Sequence, residues 1–290
     1  MKPCLIIPVH KQVNYLSKVL EGVSRQTIIP DITYIMMDRP SLEDYTIAIE
    51  IVKSFNFCIS LNVVDSIPPY IPRKYEYEPF LAGYVRNKGI EIALRDECDI
   101  FIFIDGDCVP QKELVESHIN KCNKAIPVIS VGRRRESKYH WKDQREVNSN
   151  LVHLNLFDKN GTLINNVELL KSCLIIWTCN IALNKQALGL IYKFNHKYYG
   201  IAELFNSIFL GEWGGEDSFL GITAWYCKIF ITTVGEMSSG IEHIDHPRPE
   251  SKYTIDHKIY FNEQMENLKK KVVINPLNLD FYDYCNIIGV

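Results

Sequence analysis

The sequence predicts an α/β fold: a mostly parallel sheet flanked by helices. Three observations carry that expectation. Short all-apolar runs alternate with segments of helical period along the first half of the chain. The intervening helices span ~10–15 residues, the length of a crossover between parallel strands. Each apolar run also ends in polar or turn residues, as strands do where a parallel sheet meets a ligand.

Taken in order, "CLIIPV" (4–9) is uniformly apolar, as expected of a strand buried on both faces. Leu16, Val19, Leu20 and Val23 then recur at helical spacing. "ITYIMM" (32–37) is the second strand, and Ser41 followed by Asp44 is a capping-box pattern. It opens a helix with Tyr45, Ala48, Ile49, Val52 and Phe55 on one face. "CISLNVV" (58–64) is the third strand, and Val85, Gly89, Ile92 and Ala93 mark a helix over 82–94. "DIFIFI" (99–104) is the fourth. The strands discharge into Pro8-Val9-His10, Asp38-Arg39, Asp65-Ser66 and Asp105-Gly106-Asp107.

The second half is less regular. Residues 134–170 are polar, with "DKNGT" as a turn, and form an excursion from the sheet. "CLIIWTCNIAL" (173–183) returns to buried character, "LGEWGGEDSFLG" (210–221) is a glycine-rich turn opening a helix, and "KIFITTV" (228–234) is a late strand. We expect one domain over 1–250, in two halves at 1–132 and 171–250, followed by a C-terminal extension over 251–290.

The 290 residues carry 32 basic against 35 acidic side chains, a net charge of -3, which argues against a nucleic-acid-binding role. The nine cysteines form no CxxC pair and several lie in apolar runs, so free thiols in a reducing, cytoplasmic compartment are expected. No stretch reaches the ~18 apolar residues that span a bilayer.

Asp105 and Asp107 repel each other at the end of a buried strand unless something positive lies there. A hard divalent cation, magnesium or manganese, is the natural partner, completing its shell with phosphate oxygens and water. Gly106 removes a side chain that would block a ligand's approach. Arg86 and Asn87 open a helix, where Arg86 could hold phosphate or a nucleoside; Asp38 could accept a hydrogen bond from a base or ribose. His243 and His246 can turn two imidazoles toward one ion, and the zinc-protease pattern HExxH is absent. Glu216 and Asp217 follow two glycines at a helix start, where backbone donors and the helix dipole would keep both ionised. An ionised carboxylate in a cleft can take a proton from a hydroxyl nucleophile.

These stretches together resemble the inverting family 2 glycosyltransferases of the GT-A fold, a Rossmann-like nucleotide-binding architecture. The resemblance spans most of residues 3–250 and rests on "IIPVH", "RNKGIEIA", "FIDGDCVP", "TCNIALNKQAL" and "WGGEDSFLG". The last two, with "HIDH", also resemble the C-terminal part of the β-1,4-galactosyltransferases and the polypeptide N-acetylgalactosaminyltransferases. The resemblance implies a UDP-sugar donor, a manganese or magnesium ion, and a saccharide or lipid-linked saccharide acceptor. It places Pro8, Val9, His10, Asp38 and Arg86 around the nucleotide, Asp105 and Gly106 by the ribose and metal, and Asn180 near the donor sugar. Asp107 and His246 would ligate the metal, with His243 assisting. Asp217 would be the general base, Glu216 would bind the acceptor hydroxyl, and Trp213 would stack on the acceptor ring. A retaining transferase of the polypeptide-modifying type and a non-catalytic sugar-nucleotide binder are the alternatives. Two departures stand out: "MMDRPS" in place of an acidic pair, and "TCN" in place of a more glycine-rich string. A place in bacterial surface polysaccharide assembly follows as an expectation, with Lys269–Lys271 as a candidate contact to the inner face of a membrane.

Overall fold

The computed structural model describes residues 1–66, 81–136, 176, 178–205, 215–234 and 237–246. Four strands, β1 (Pro3–Val9), β2 (Ile32–Asp38), β3 (Ile59–Val64) and β4 (Ile100–Ile104), lie parallel in the order β3-β2-β1-β4. They are joined through α1 (Val13–Ser24), α2 (Leu42–Lys53) and α3 (Ala82–Arg95). After β4 come β5 (Cys108–Pro110), α4 (Leu114–Cys122), β6 (Val128–Val131) and β7 (Arg134–Glu136). The chain continues in β8 (Asn180–Asn184), α5 (Lys185–Tyr199), α6 (Gly215–Tyr226), β9 (Phe230–Thr233) and β10 (Ile241–His243).

Among the described residues the main sheet has seven strands, extended past β4 by β8, β6 and β9. β8 runs antiparallel to both neighbours, β4 and β6, and is the one reversed strand of that sheet. Strands from both ends of the chain thus share one sheet. A small second sheet, β5-β10-β7, sits beyond the carboxyl end of β4.

The period of two along the central strands divides the core into two layers. Cys4, Ile6, Phe101 and Phe103 face the helices α3, α5 and α6, packing with Val85, Ile90, Phe194 and Phe219. Leu5, Ile7, Ile102 and Ile104 face α1 and α4, packing with Leu16, Leu20, Leu114 and Val115. A Cβ at Gly89 would stand 2.7 Å from the Ile6 Cγ2, so glycine there lets α3 lie directly on β1. The Ser41 hydroxyl accepts from the Asp44 N–H at 3.0 Å, the cap that the sequence pattern announced for α2. Arg86 and Asn87, by contrast, lie one turn inside α3, which opens at Ala82.

Cys4, Cys98, Cys108, Cys122 and Cys227 are buried free thiols and Cys58 an exposed one. Among the described residues no helix is long and apolar enough to cross a membrane. The 137–170 part of the polar excursion, Trp213, and the extension from 251 with Lys269–Lys271 lie outside the described residues.

Candidate active site

Parallel strands β1, β2 and β4 end on one edge of the sheet, and the candidate residues collect there. The turn Asp105–Asp107 leaves β4 and immediately enters β5. Gly106 has a different reason from the one its sequence context suggested. A Cβ on it would meet the Pro8 carbonyl oxygen at 2.8 Å and Val9 Cγ2 at 3.3 Å. The glycine lets the turn close against the β1 backbone, and the approach it permits is that of the chain itself.

Asp107 is the focus of the first cluster. Its Oδ2 lies 2.9 Å from His246 Nε2 and 3.4 Å from His243 Nε2. Cys108 Sγ donates to Oδ1 at 3.3 Å, and the Gln12 amide reaches Oδ2 at 3.5 Å. The Ile244 N–H donates to the Asp107 carbonyl at 2.8 Å, so the segment from β10 onward that bears the histidines is tied to the turn bearing the acid. Burial opposes a charge on Asp107, but His243, then His246 and Cys108, outweigh it and hold the carboxyl well below its usual range. Asp107, His243 and His246 each offer one ligand atom, all within 4.8 Å of one another; Asp105, Asp107 and Cys108 form a second such group. One carboxylate oxygen with two imidazole nitrogens could hold a divalent transition-metal ion.

The second cluster is a buried cation among carboxylates. Arg86, 2% exposed, donates through Nη2 to Asp105 Oδ1, and its Nη1 lies 3.7 Å from Glu216 Oε1. Its guanidinium sits 5.6 Å from the centre of the Phe205 ring. Neighbouring Asn87 exchanges two hydrogen bonds with the Phe205 backbone, at 2.7 and 3.0 Å, fixing that ring against α3. Burial disfavours the Arg86 charge, yet Asp105, Asp217 and Glu216 more than compensate and raise its pKa. Arg86 is therefore sealed behind Asp105, not extended into the cleft.

Glu216 and Asp217 open α6, as the glycine-rich string suggests. Against the expectation that the helix start keeps both ionised, burial shifts both carboxyls toward the protonated form. Burial, and then repulsion from Asp217, push Glu216 up to about 8. Burial likewise raises Asp217, against the opposing pull of Arg86 and a 3.3 Å hydrogen bond from the Thr178 N–H to Oδ1. Desolvation of two adjacent acids exceeds what a helix terminus supplies.

The third group lies at the ends of β1 and β2. Asp38 Oδ2 is 2.9 Å from His10 Nδ1 and accepts the Leu81 N–H at 3.3 Å. Arg39 grips both oxygens, with Nε at 2.7 Å and Nη2 at 3.0 Å. Burial opposes ionisation of Asp38, but His10 and Arg39 outweigh it and lower the pKa. Lys11 and Arg39, the residues just past these contacts, adopt φ of +53° and +43°, left-handed backbone that costs non-glycine residues energy and concentrates at functional turns.

Asn180 is not brought into any of these groups. Its Oδ1 meets His118 Nε2 at 2.7 Å and its Nδ2 donates to the Arg133 carbonyl at 2.9 Å. The amide fills the space that a side chain at Gly132 would take. Gln12 and Tyr15, whose ring stacks on His246 with centroids 5.9 Å apart, are the residues that sequence reasoning missed. Gln12 leaves no signal: it occupies the N-cap of α1 without a side-chain capping hydrogen bond, as Leu81 and Glu113 do at α3 and α4.

The mostly parallel α/β sheet defines the architecture, and solved structures share that fold. The fragment 1–349 of S. aureus TarS in complex with UDP-GlcNAc superposes with a TM-score of 0.62 at 15% identity, over 99% of this chain and 70% of that one. The same fragment in complex with UDP gives 0.58 at 14% identity, and a longer S. aureus TarS chain gives 0.59 at 14%. This chain spans 42% of that longer chain. At such identities the likeness establishes the shared fold. No protein-family model matches the sequence, and no curated protein does.

Proposed function

We propose that this chain is a glycosyltransferase that moves a sugar from a UDP-sugar to a saccharide hydroxyl, with inversion. One observation carries the proposal. A polar group at the ends of β1 and β2 (His10, Asp38), a cation-type cluster (Asp107, His243, His246) and an acid pair (Glu216, Asp217) that Arg86 links to Asp105 lie on one sheet edge. The fold is one that holds UDP-GlcNAc in S. aureus TarS.

Pro8 and Val9 would line the nucleotide with backbone, and Asp38, held rigid by His10 and Arg39, would accept from the base or ribose. Asp105 would face the ribose and cation side. Asp107, His243 and His246 would hold manganese or magnesium, which when bound would offset charge on a leaving diphosphate. Asp217 would take the acceptor hydroxyl's proton, oriented by the Thr178 N–H. Its raised pKa suits that role, since a base works best when its pKa nears the working pH. Glu216, protonated at neutral pH, would donate to an acceptor oxygen, and Trp213 would stack on the acceptor ring. Attack opposite the leaving group would convert an α-linked donor into a β-glycoside.

Free UDP released from a panel of UDP-sugars, with manganese, with chelator, and with Asp217→Asn, tests the proposal. We expect release to need the metal, and acceptor-dependent turnover to fall ~10²–10⁴-fold in Asp217→Asn with UDP binding retained. No UDP binding by calorimetry would overturn the function; an α-linked product would overturn inversion alone. A bilayer-bound acceptor is proposed to be met through Lys269–Lys271, and co-sedimentation with anionic vesicles should weaken when that run is deleted.

A further inference from the structure

Cys108 follows Asp107 directly, and its side chain is wholly buried in the core layer that faces α1 and α4. Successive side chains of an extended strand point to opposite faces and do not meet. These two meet because a turn separates β4 from β5: the Cys108 N–H donates to the Asp105 carbonyl at 3.0 Å, which bends the chain at Asp107. The Cys108 thiol then donates to Asp107 Oδ1 at 3.3 Å.

The two oxygens of Asp107 have different surroundings. Oδ2 faces His246 Nε2 at 2.9 Å, His243 Nε2 at 3.4 Å and the Gln12 amide at 3.5 Å. Among the described residues, Oδ1 has the Cys108 thiol as its hydrogen-bond donor. The difference matters when an ion arrives. An imidazole nitrogen that ligates a metal gives its lone pair to the ion and no longer donates a hydrogen bond. The contacts of His243 and His246 with Oδ2 would be exchanged for bonds to the ion, whereas the thiol contact lies on the other oxygen and persists. It therefore fixes the carboxylate's orientation before and after the ion enters. The backbone supports the same role. Cys108 is the register partner of His243 where β5 pairs with β10, so the residue that holds the acid also holds the strand bearing a histidine. A thiol suits the position, because it packs as a small apolar group and still carries one weak donor.

We infer that Cys108 is a positioning residue of the cation site, its thiol tying Asp107 Oδ1 and so keeping Oδ2 turned toward His243 and His246. The inference rests on the cation site named under the proposed function, and it concerns a residue which that assignment does not include.

The test is manganese binding by the full chain without any sugar nucleotide, with the free aquo ion counted by electron paramagnetic resonance. Wild type, Asp107→Asn, Cys108→Ser and Cys108→Val are compared. Serine keeps a donor and gives up the apolar bulk of sulfur; valine keeps the bulk without a donor. We expect Cys108→Val to weaken manganese about 10-fold or more, the range for groups that orient a metal ligand, and Cys108→Ser to stay close to wild type. Thermal melts show whether each variant is folded, and Cys108→Ala takes the place of Cys108→Val if valine does not fit. Wild-type affinity in Cys108→Val, alongside loss in Asp107→Asn, would overturn the inference and leave the cation site intact. Equal weakening in the serine and valine variants would show that the donor is not what matters, and would also overturn it. Soft cations take thiolate ligands, so cadmium supplies a second readout. A thiolate-to-cadmium absorption band present in wild type and missing in Cys108→Ser would make Cys108 a ligand and overturn the positioning role. No manganese uptake by wild type would overturn the cation site and the inference together, while UDP binding measured separately would show whether the nucleotide site survives.

Discussion

Arg86 offers the sharpest test of how the site is held, because one buried cation serves three acids. Replacing it by methionine keeps most of the packing volume against Phe205 and removes the charge. Asp105, 31% exposed on its side chain, can lean on water, but Glu216 at 13% and the neighbouring Asp217 cannot. Breaking a buried ion pair by removing one partner typically costs about 3–5 kcal/mol. With an unfolding entropy near 2.1 cal/mol/K per residue over 290 residues, that is a fall of about 5–8 °C in Tm. The loss should depend on pH, and its sign follows from the carboxyls. Glu216 and Asp217 already have raised pKa values when folded, so their ionisation disfavours the folded state as pH rises above their ordinary range. Without Arg86 both pKa values climb further, so the variant's deficit should be smallest at acid pH and grow as pH rises past the value of about 8 for Glu216. Urea unfolding at pH 5, 7 and 8.5 reads this directly. Adding Glu216→Gln to Arg86→Met should recover part of the deficit at the alkaline end. A deficit equal at all three pH values would show that Arg86 matters as packing, and the electrostatic account of this cluster would be wrong.

Two further outcomes are expected. Gly106→Ala should cost about 1–3 kcal/mol, because its Cβ meets the Pro8 carbonyl, which is β1 backbone that cannot rotate away; it should also weaken UDP binding by displacing the turn, and normal urea stability with normal UDP affinity would refute the contact. His118 is buried with its pKa lowered to about 4, so wild-type stability should fall as pH drops from the ordinary histidine range toward that value; His118→Gln, which cannot titrate, should flatten that acid limb in melts, and an unchanged slope would exclude His118 as its source.

The elements that sequence pattern located are those whose signal is local. β1 and β4 are apolar at every position because both faces are covered, so "CLIIPV" and "IFIFI" needed no knowledge of neighbours. The capping serine of α2 was legible for the same reason: its partner is three residues away. Nothing local marks β8 as the reversed strand, since direction depends on where the chain re-enters the sheet and leaves no trace in apolar content. The site divides along the same line. Asp105, Asp107, Glu216 and Asp217 stand in short strings, and the i,i+3 spacing of His243 and His246 suggested a common target. Gln12 meets partners 95 and 234 positions away, a separation no motif spans. The protonation of Glu216 was misjudged because the helix start is visible in sequence and the depth of burial is not.

Left-handed backbone at Lys11 and Arg39 and two adjacent acids sharing one arginine sit on the sheet edge where a ligand would lie, although Glu97 and Lys228 are left-handed elsewhere. A scaffold seven strands wide with both faces packed has the stability to hold such groups in place. Under the proposed function a cation would pair with the Asp107 cluster, and a hydroxyl that surrenders its proton would meet the raised pKa of Asp217. Interactions that improve only when ligands arrive convert folding energy into binding and catalysis, because the cost of bringing the groups together is met before the ligand enters. The fold holds the Asp107 carboxyl well below its usual range, so its charge contributes stability above that range. Asp107→Asn should therefore lower both manganese affinity and urea stability at neutral pH, and unchanged stability would refute the account of that cluster.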